Sequence, residues 1–306
     1  MAKSTLTAHR KHSHIKLSLS DKIFYSIVDV LMVITIIIML VPIMNILASS
    51  FSSGAAVNSG KVGIIPVDFT LDGYKMILKS DKLVLGYKNT IFYTVVGTAI
   101  NVFMVVIGAY PMSRKDFKPR HIIMKIYSFA MYFSGGLIAQ YLLYQDMGLV
   151  NSRWVMLLPG AFSISNMIVT RTYFETNIPD ELLESSKMDG CSDFRFLLQM
   201  VIPLSKAIIA VMILFHALGH WNAYFNAYLY LSDERKYPLS LFFQQLIGGV
   251  VTQGMTEDAN NQGIVDETKD LLKYTLIVVT TLPACCAYPL VQKYFIKGVK
   301  SGAVKG

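Results

Sequence analysis

Long apolar runs, not a short repeat, organise this chain. Stretches free of charge recur at Val30–Gly60, Asn89–Ser113, Ile126–Gln145, Trp154–Thr170, Ala207–Ser232, Tyr237–Thr256 and Tyr274–Gln292. A helix needs about 20 mostly apolar residues to cross the hydrocarbon of a bilayer. In the first run the apolar part ends near Ala48, and Ser49-Ser50-Phe51-Ser52-Ser53-Gly54 reads as a loop. Tyr237–Thr256 carries Pro238, Gln244, Gln245, Gln253, Gly248, Gly249 and Gly254, which make a poor lipid-facing helix, so it is placed outside the membrane or at its surface. Six predicted spans remain, near 24–48, 88–113, 122–145, 153–175, 205–230 and 272–296. The pattern therefore predicts an all-α membrane protein with six transmembrane helices. A basic arm (1–23) precedes a single membrane domain (24–296), and a short tail (297–306) follows it.

Composition supports that reading. The 306 residues are 53% hydrophobic and only 16% charged, where soluble domains carry about 25% charged residues. A disordered chain, a collagen-like chain and a disulfide scaffold are excluded, and the three cysteines, Cys191, Cys285 and Cys286, suggest no disulfide framework. The apolar run from Phe24 to Ala48 is too long for a secretory signal and reads as a retained span.

The net charge of +8 is read as an orientation signal, with no nucleic-acid partner. With six spans, one side holds residues 1–23, 114–120, 171–206 and 291–306, carrying 17 Lys and Arg against 10 on the other side. Acidic residues invert the pattern, 8 against 11. Basic loops favour the cytoplasm, so both termini are expected there, with Arg114-Lys115-Asp116-Phe117-Lys118-Pro119-Arg120 as the clearest anchor. The arm bearing His9, His12 and His14 reads as a segment attracted to anionic lipid, and Asp29 as an interfacial residue.

The most informative segment runs from Asn177 to Pro203. Pro179 suits a first helical turn, and Asp180 and Glu181 suit the positive end of its dipole. Asp189-Gly190 is a turn, and Ser192 or Asp193 can cap a second short helix. Leu182, Leu183 and Ser186 share a face, followed by Phe194, Leu197 and Leu198. From the residues alone, a short amphipathic element docking into a partner and a helix lying flat on the membrane stand level.

The spacing Glu184-Ser185-Ser186, three residues, Gly190, nine residues, Met200, one residue, Ile202-Pro203 resembles the EAA loop of ABC importer permeases. Glu184, Gly190 and Pro203 match that pattern outright, while Ser185 and Ser186 stand for its two alanines. Leu158-Pro159-Gly160, the segment Gly219-His220-Trp221-Asn222-Ala223-Tyr224-Phe225-Asn226-Ala227 and Tyr237-Pro238-Leu239 are similar to the carbohydrate-uptake branch of that family. Within it the likeness is nearest to the maltose-type inner permeases that carry complex oligosaccharides in Gram-positive bacteria.

The resemblance implies a type I ABC importer permease fold in the bacterial cell membrane, moving an oligosaccharide inward. It implies a second permease, a cytoplasmic ABC ATPase dimer holding ATP and Mg, and an extracellular sugar-binding lipoprotein. Carried over, Glu184, Ser185, Ser186, Asp189 and Gly190 couple this chain to the ATPase through the loop 178–203. The alternatives are a permease for a non-sugar solute, and a membrane scaffold or receptor without transport.

No cofactor is expected on this chain. The nearest approach to a phosphate loop, Gly54 to Gly60-Lys61-Val62, has the wrong spacing and lacks the Ser or Thr. His216 and His220 share a helix face but lack the glutamate of a zinc-protease helix, so packing or pathway lining is the expected role. Asn166, His220, Trp221, Asn222, Tyr224 and Asn226 are polar or aromatic at membrane depth and are the candidates for a sugar path. The competing role is an interhelical hydrogen bond or an interfacial anchor.

Overall fold

The computed structural model describes residues 18–247, 270–286 and 289; residues 1–17 of the basic arm with its histidines, Gly248 to Lys269, the end of the sixth predicted span and the whole tail (297–306) lie outside them. Every regular element among the described residues is helical. In chain order they are α1 (Leu19–Ser50), α2 (Gly54–Asn58), α3 (Asp72–Lys79), α4 (Asp81–Ser113), α5 (Arg120–Tyr132), α6 (Gly136–Asp146) and α7 (Ile164–Asn177). There follow α8 (Asp180–Met188), α9 (Asp193–Phe196), α10 (Ile202–Leu204), α11 (Lys206–Trp221), α12 (Phe225–Tyr230), α13 (Leu239–Ile247) and α14 (270–286).

Helices α1 and α4 are each long and apolar enough to cross a membrane. They do so differently. Most of the apolar stretch of α1 is exposed, with Val28 and Ile46 half-buried, and only Ala48, Ser49 and Ser50 at its end are buried. Asn45 fixes that end by donating to the carbonyls of Val62 and Gly63 at 3.0 and 2.9 Å. A helix apolar all round, with no soluble core over it, suits a lipid solvent.

Helix α4 is the axis of the fold. Tyr93, Gly97, Asn101, Val105 and Ala109 recur every fourth residue and are all buried. This stripe packs against α11 and α7. Lipid offers no hydrophobic drive to helix pairing, so close backbone approach and polar contacts must supply it. Gly97 and Gly108 serve this role: a Cβ at Gly97 would lie 2.4 Å from the His220 ring, and one at Gly108 would lie 2.5 Å from Phe162.

The runs read as continuous spans are interrupted at identifiable residues. In 122–145 the chain turns by 111° between α5 and α6, at Ser134-Gly135-Gly136, where Gly136 has φ +80°. In 153–175 a 3-10 turn (Arg153–Met156) is followed by non-helical residues around Pro159 and Gly160 (φ +72°), and α7 begins only at Ile164. In 205–230 the helix stops at Trp221 and restarts at Phe225. The segment after Tyr237 forms α13, which buries Leu239 and Phe242 beside Leu83 of α4 and Leu272 and Leu276 of α14. Its first N–H, on Leu239, donates to Thr90 Oγ1 at 2.8 Å.

Candidate functional site

The Asn177–Pro203 segment folds as its residues demand. Pro179 takes an extended backbone just ahead of α8, and Asp180 and Glu181 occupy the first turn. Leu183 and Ser186 turn into the protein, and the Ser186 hydroxyl donates to the Leu183 carbonyl at 2.8 Å. Glu184, Ser185, Asp189 and Gly190 face outward. So does Met188, 90% exposed, a side chain the motif does not mark. Gly190 holds φ +75°, a conformation costly for a residue with a Cβ, and its N–H donates to the Lys187 carbonyl at 3.0 Å. Ser192 Oγ then accepts from the Arg195 N–H and caps α9.

The inward aromatic on the second limb is Phe196, fully buried, while Phe194 is 65% exposed and Leu198 also faces outward. Phe194, Leu197 and Leu198 share the face expected from sequence and line one apolar cavity with Val102 and Val106 of α4, and a π-helical turn (Leu197–Val201) follows ahead of Pro203.

The basic segment that follows α4 is the mounting of this loop. Arg114 is buried, with its guanidinium 5.9 Å from the Phe196 ring centroid and 3.6 Å from the Asp180 carboxylate. Lys115 Nζ lies 2.6 Å from the other Asp180 oxygen. At the far end of α8, Lys187 Nζ meets Asp116 at 2.8 Å and Asp193 at 3.9 Å. The hydrogen bond from Lys115 holds the Asp180 carboxyl below the usual range, and that from Lys187 does the same for Asp116. One turn upstream, Glu175 accepts from Arg171 at 2.7 Å and pairs with Arg120 at 3.6 Å. Arg171 also donates to the Met112 carbonyl at 2.9 Å. Both ends of α8 are thus pinned to the segment that ends α4.

The six polar and aromatic candidates at membrane depth separate into different places. Asn166 joins His216 and Asn101 in a buried cluster between α4, α7 and α11, with Asn–His distances of 3.2 and 3.0 Å. Both ring nitrogens of His216 are occupied by asparagine amides. His220 packs against Gly97, and its Nε2 has no partner among the described residues. Asn226 is half-buried in α12. Trp221, Asn222 and Tyr224 come together at the break between α11 and α12, where they line a cavity of 460 Å³ with residues of α13 and α14. The indole N–H of Trp221 donates to the Thr280 carbonyl at 2.8 Å, which bridges α11 to α14. Sequence reasoning did not single out Ser240, Gln244, Thr280 or Thr281 of this cavity. The glutamines that spoil 237–256 as a lipid-facing helix were the available signal.

Residues 100–301 match the family model described as the binding-protein-dependent transport system inner membrane component. The chain belongs to this family. It is 35% identical over 289 residues to the polygalacturonan/rhamnogalacturonan transport system permease protein YtcP of Bacillus subtilis, covering 94% of this chain and 100% of that one. Protein LplC of the same organism is 36% identical over 269 residues, covering 88% and 90%. The fold matches, with a TM-score of 0.83 and 34% identity, a chain of a bacterial ABC transporter involved in the import of the acidic polysaccharide alginate, covering 92% of this chain and 99% of that one. The protein is therefore an ABC importer permease subunit of the plasma membrane, not an enzyme. The matched region takes in the C-terminal part of α4 (100–113), the whole clasped loop and, apart from Thr90, the residues that line the cavity at Trp221.

Proposed function

We propose that this permease imports an oligosaccharide and that the loop 178–203 is the part gripped by an ATPase subunit. The observation that carries the reading is the two-sidedness of α8. Leu183 and Ser186 bind it to its own chain, while Glu184, Ser185, Met188, Asp189 and Gly190 are offered outward. Of the expected coupling residues, Ser186 then acts from inside, setting how closely α8 sits on the permease. Met188 joins the outward set. A rigid, double-ended mounting suits a lever, because a push on α8 reaches α4 through Asp180 and Lys187 without being absorbed by a slack loop.

The relatives named for polygalacturonan/rhamnogalacturonan and for alginate support a carbohydrate substrate. The remaining parts of the reading are a second permease chain, an ATPase dimer that binds Mg and ATP, an external sugar-binding lipoprotein, six spans and cytoplasmic termini. The charge asymmetry of the loops supports the orientation.

The test is a chain in which Cys191, Cys285 and Cys286 are replaced by serine and a single cysteine is introduced at Met188 (M188C), reconstituted with its co-purifying subunits. Crosslinking of M188C to an ATPase chain, changed by ATP, is the expected result. A chain that purifies without an ATPase, or an M188C that labels freely with and without nucleotide, would overturn the coupling role.

A further inference from the structure

We infer that the cavity at the α11–α12 break is a sugar subsite on this chain, and that it takes an uncharged, hydroxyl-rich ring. The inference rests on the importer reading above.

The backbone gives the first reason. Residues 222–224 interrupt a helix within a predicted span. Irregular backbone at membrane depth persists only where it is buried in protein or lines a polar cavity. Here it lines one, and three elements distant in sequence converge on it. Its 460 Å³ falls within the range of small-molecule sites, about 300–1,000 Å³.

The lining gives the second reason. Trp221, Tyr224 and Phe243 supply ring surfaces, while Asn222, Gln244 and Thr281 supply amide and hydroxyl groups. A sugar presents the matching pair, C–H faces that stack and hydroxyls that donate and accept. Trp221 is held in place before any ligand arrives, by its hydrogen bond to Thr280 and by Tyr87, edge-on at 5.9 Å. Asn222 gives one amide N–H to the Leu218 carbonyl at 2.9 Å, which fixes the amide and leaves its oxygen and second N–H to meet a hydroxyl.

Charge gives the third. Among the described residues no Lys, Arg, Asp or Glu lines the cavity. A uronate carboxylate would enter it without a counter-charge, whereas a neutral ring would not leave a charge unpaired. The subsite therefore discriminates by charge as well as by shape.

The test uses the whole importer in proteoliposomes at saturating binding protein. The probes are a neutral galacto-oligosaccharide and an oligogalacturonate of equal length. Gln244→Leu and Thr281→Val nearly keep volume and remove the polar contacts. Each is expected to slow neutral-sugar uptake about tenfold, the worth of a hydrogen bond to substrate, with assembly checked by co-purification of the ATPases. Gln244→Arg is expected to shift the uptake ratio at least about tenfold toward the oligogalacturonate, an added guanidinium supplying the missing counter-charge. Wild-type uptake of the neutral sugar that neither Gln244→Leu nor Thr281→Val alters would overturn the subsite and leave the importer reading standing. Oligogalacturonate uptake equally sensitive to both variants would overturn the uncharged assignment. Wild-type vesicles that move neither sugar and show no sugar-stimulated ATP hydrolysis would overturn both.

Discussion

Lys187 reaches from the last turn of α8 back to Asp116, Nζ to Oδ2 at 2.8 Å, and joins two segments 71 residues apart in sequence. Arg114 and Lys115 hold Asp180 at the other end of the same helix. A helix gripped at both ends moves as one body with its mount. The pair is exposed, so its worth lies in geometry more than in stability. In reconstituted importer, Asp116→Asn and Lys187→Gln should each lower sugar-stimulated ATP hydrolysis severalfold. The double variant should fall no further than either single one, because each already breaks the same link. Additive losses would show that the two residues act separately.

Gly190 offers a graded test. Its φ of +75° is the constraint, since a Cβ there would meet nothing within 4 Å. Asparagine visits this conformation readily, alanine less so and β-branched residues least. Coupled transport should therefore decline in the order Gly190→Asn, Gly190→Ala, Gly190→Val, while membrane insertion stays constant. Equal loss in all three would point to crowding against the partner rather than to backbone strain.

These two sites show what the sequence makes legible. The turn at Asp189-Gly190, the cap at Ser192 and the acidic first turn of α8 are local chemistry, and each stands where the residues place it. The pairing of Arg114 and Lys115 with Asp180 is not local. A basic cluster after a span reads first as an orientation signal, and nothing in its spacing names a partner some 65 residues away. The helix breaks were written in Ser134-Gly135-Gly136 and Pro159-Gly160, yet apolar length outweighed them, since an apolar run does not say whether the helix inside it is continuous. The burial of Phe196 was not legible either, since it depends on the Arg114 guanidinium brought over it from a distant segment.

The clasp also has a pH window. The carboxyls of Asp116 and Asp180 are held low by their lysines, so their contribution is present above the ordinary carboxylate range and is lost as pH falls through the lowered values. Lys115 and Lys187 are raised by the same bonds, so their contribution holds below the ordinary lysine value and is lost as pH rises past the raised one. Amide-exchange protection of residues 180–190, corrected for intrinsic rates, should stay flat between about pH 5 and 9 and drop below about 4. A loss of protection near pH 6 to 7 would mean that a histidine, not this clasp, secures the loop.

The approach of Gly97 to His220 is set by the missing side chain. A Cβ would sit 2.4 Å from the imidazole, so Gly97→Ala must displace the ring or part α4 from α11. Overpacking of this kind costs about 1–3 kcal/mol. Thermal unfolding in detergent should show that loss for Gly97→Ala and recovery in Gly97→Ala with His220→Ala, where the ring is gone. No recovery would mean that the glycine matters for its backbone and not for the space it leaves.

His216 carries the last prediction. It is buried, with Asn101 3.0 Å from Nδ1 and Asn166 3.2 Å from Nε2. A neutral imidazole has one donor and one acceptor, so one asparagine must offer its amide N–H and the other its oxygen. Both contacts run from the amide nitrogen, Nδ2 of Asn101 and of Asn166, so one amide must turn to bring its oxygen to the ring N–H; Asn101, whose Oδ1 is buried with no partner among the described residues, is the one placed to turn. The cluster then ties α4, α7 and α11 together at membrane depth, in place of a metal ligand. His216→Leu strands two amides in an apolar layer and should cost about 1–2 kcal/mol. Replacing all three residues with leucine removes the stranded groups as well, and should return much of that stability. If His216→Leu alone is neutral, the amides have found water, and the cluster borders a wet pathway instead of sealing the packed core.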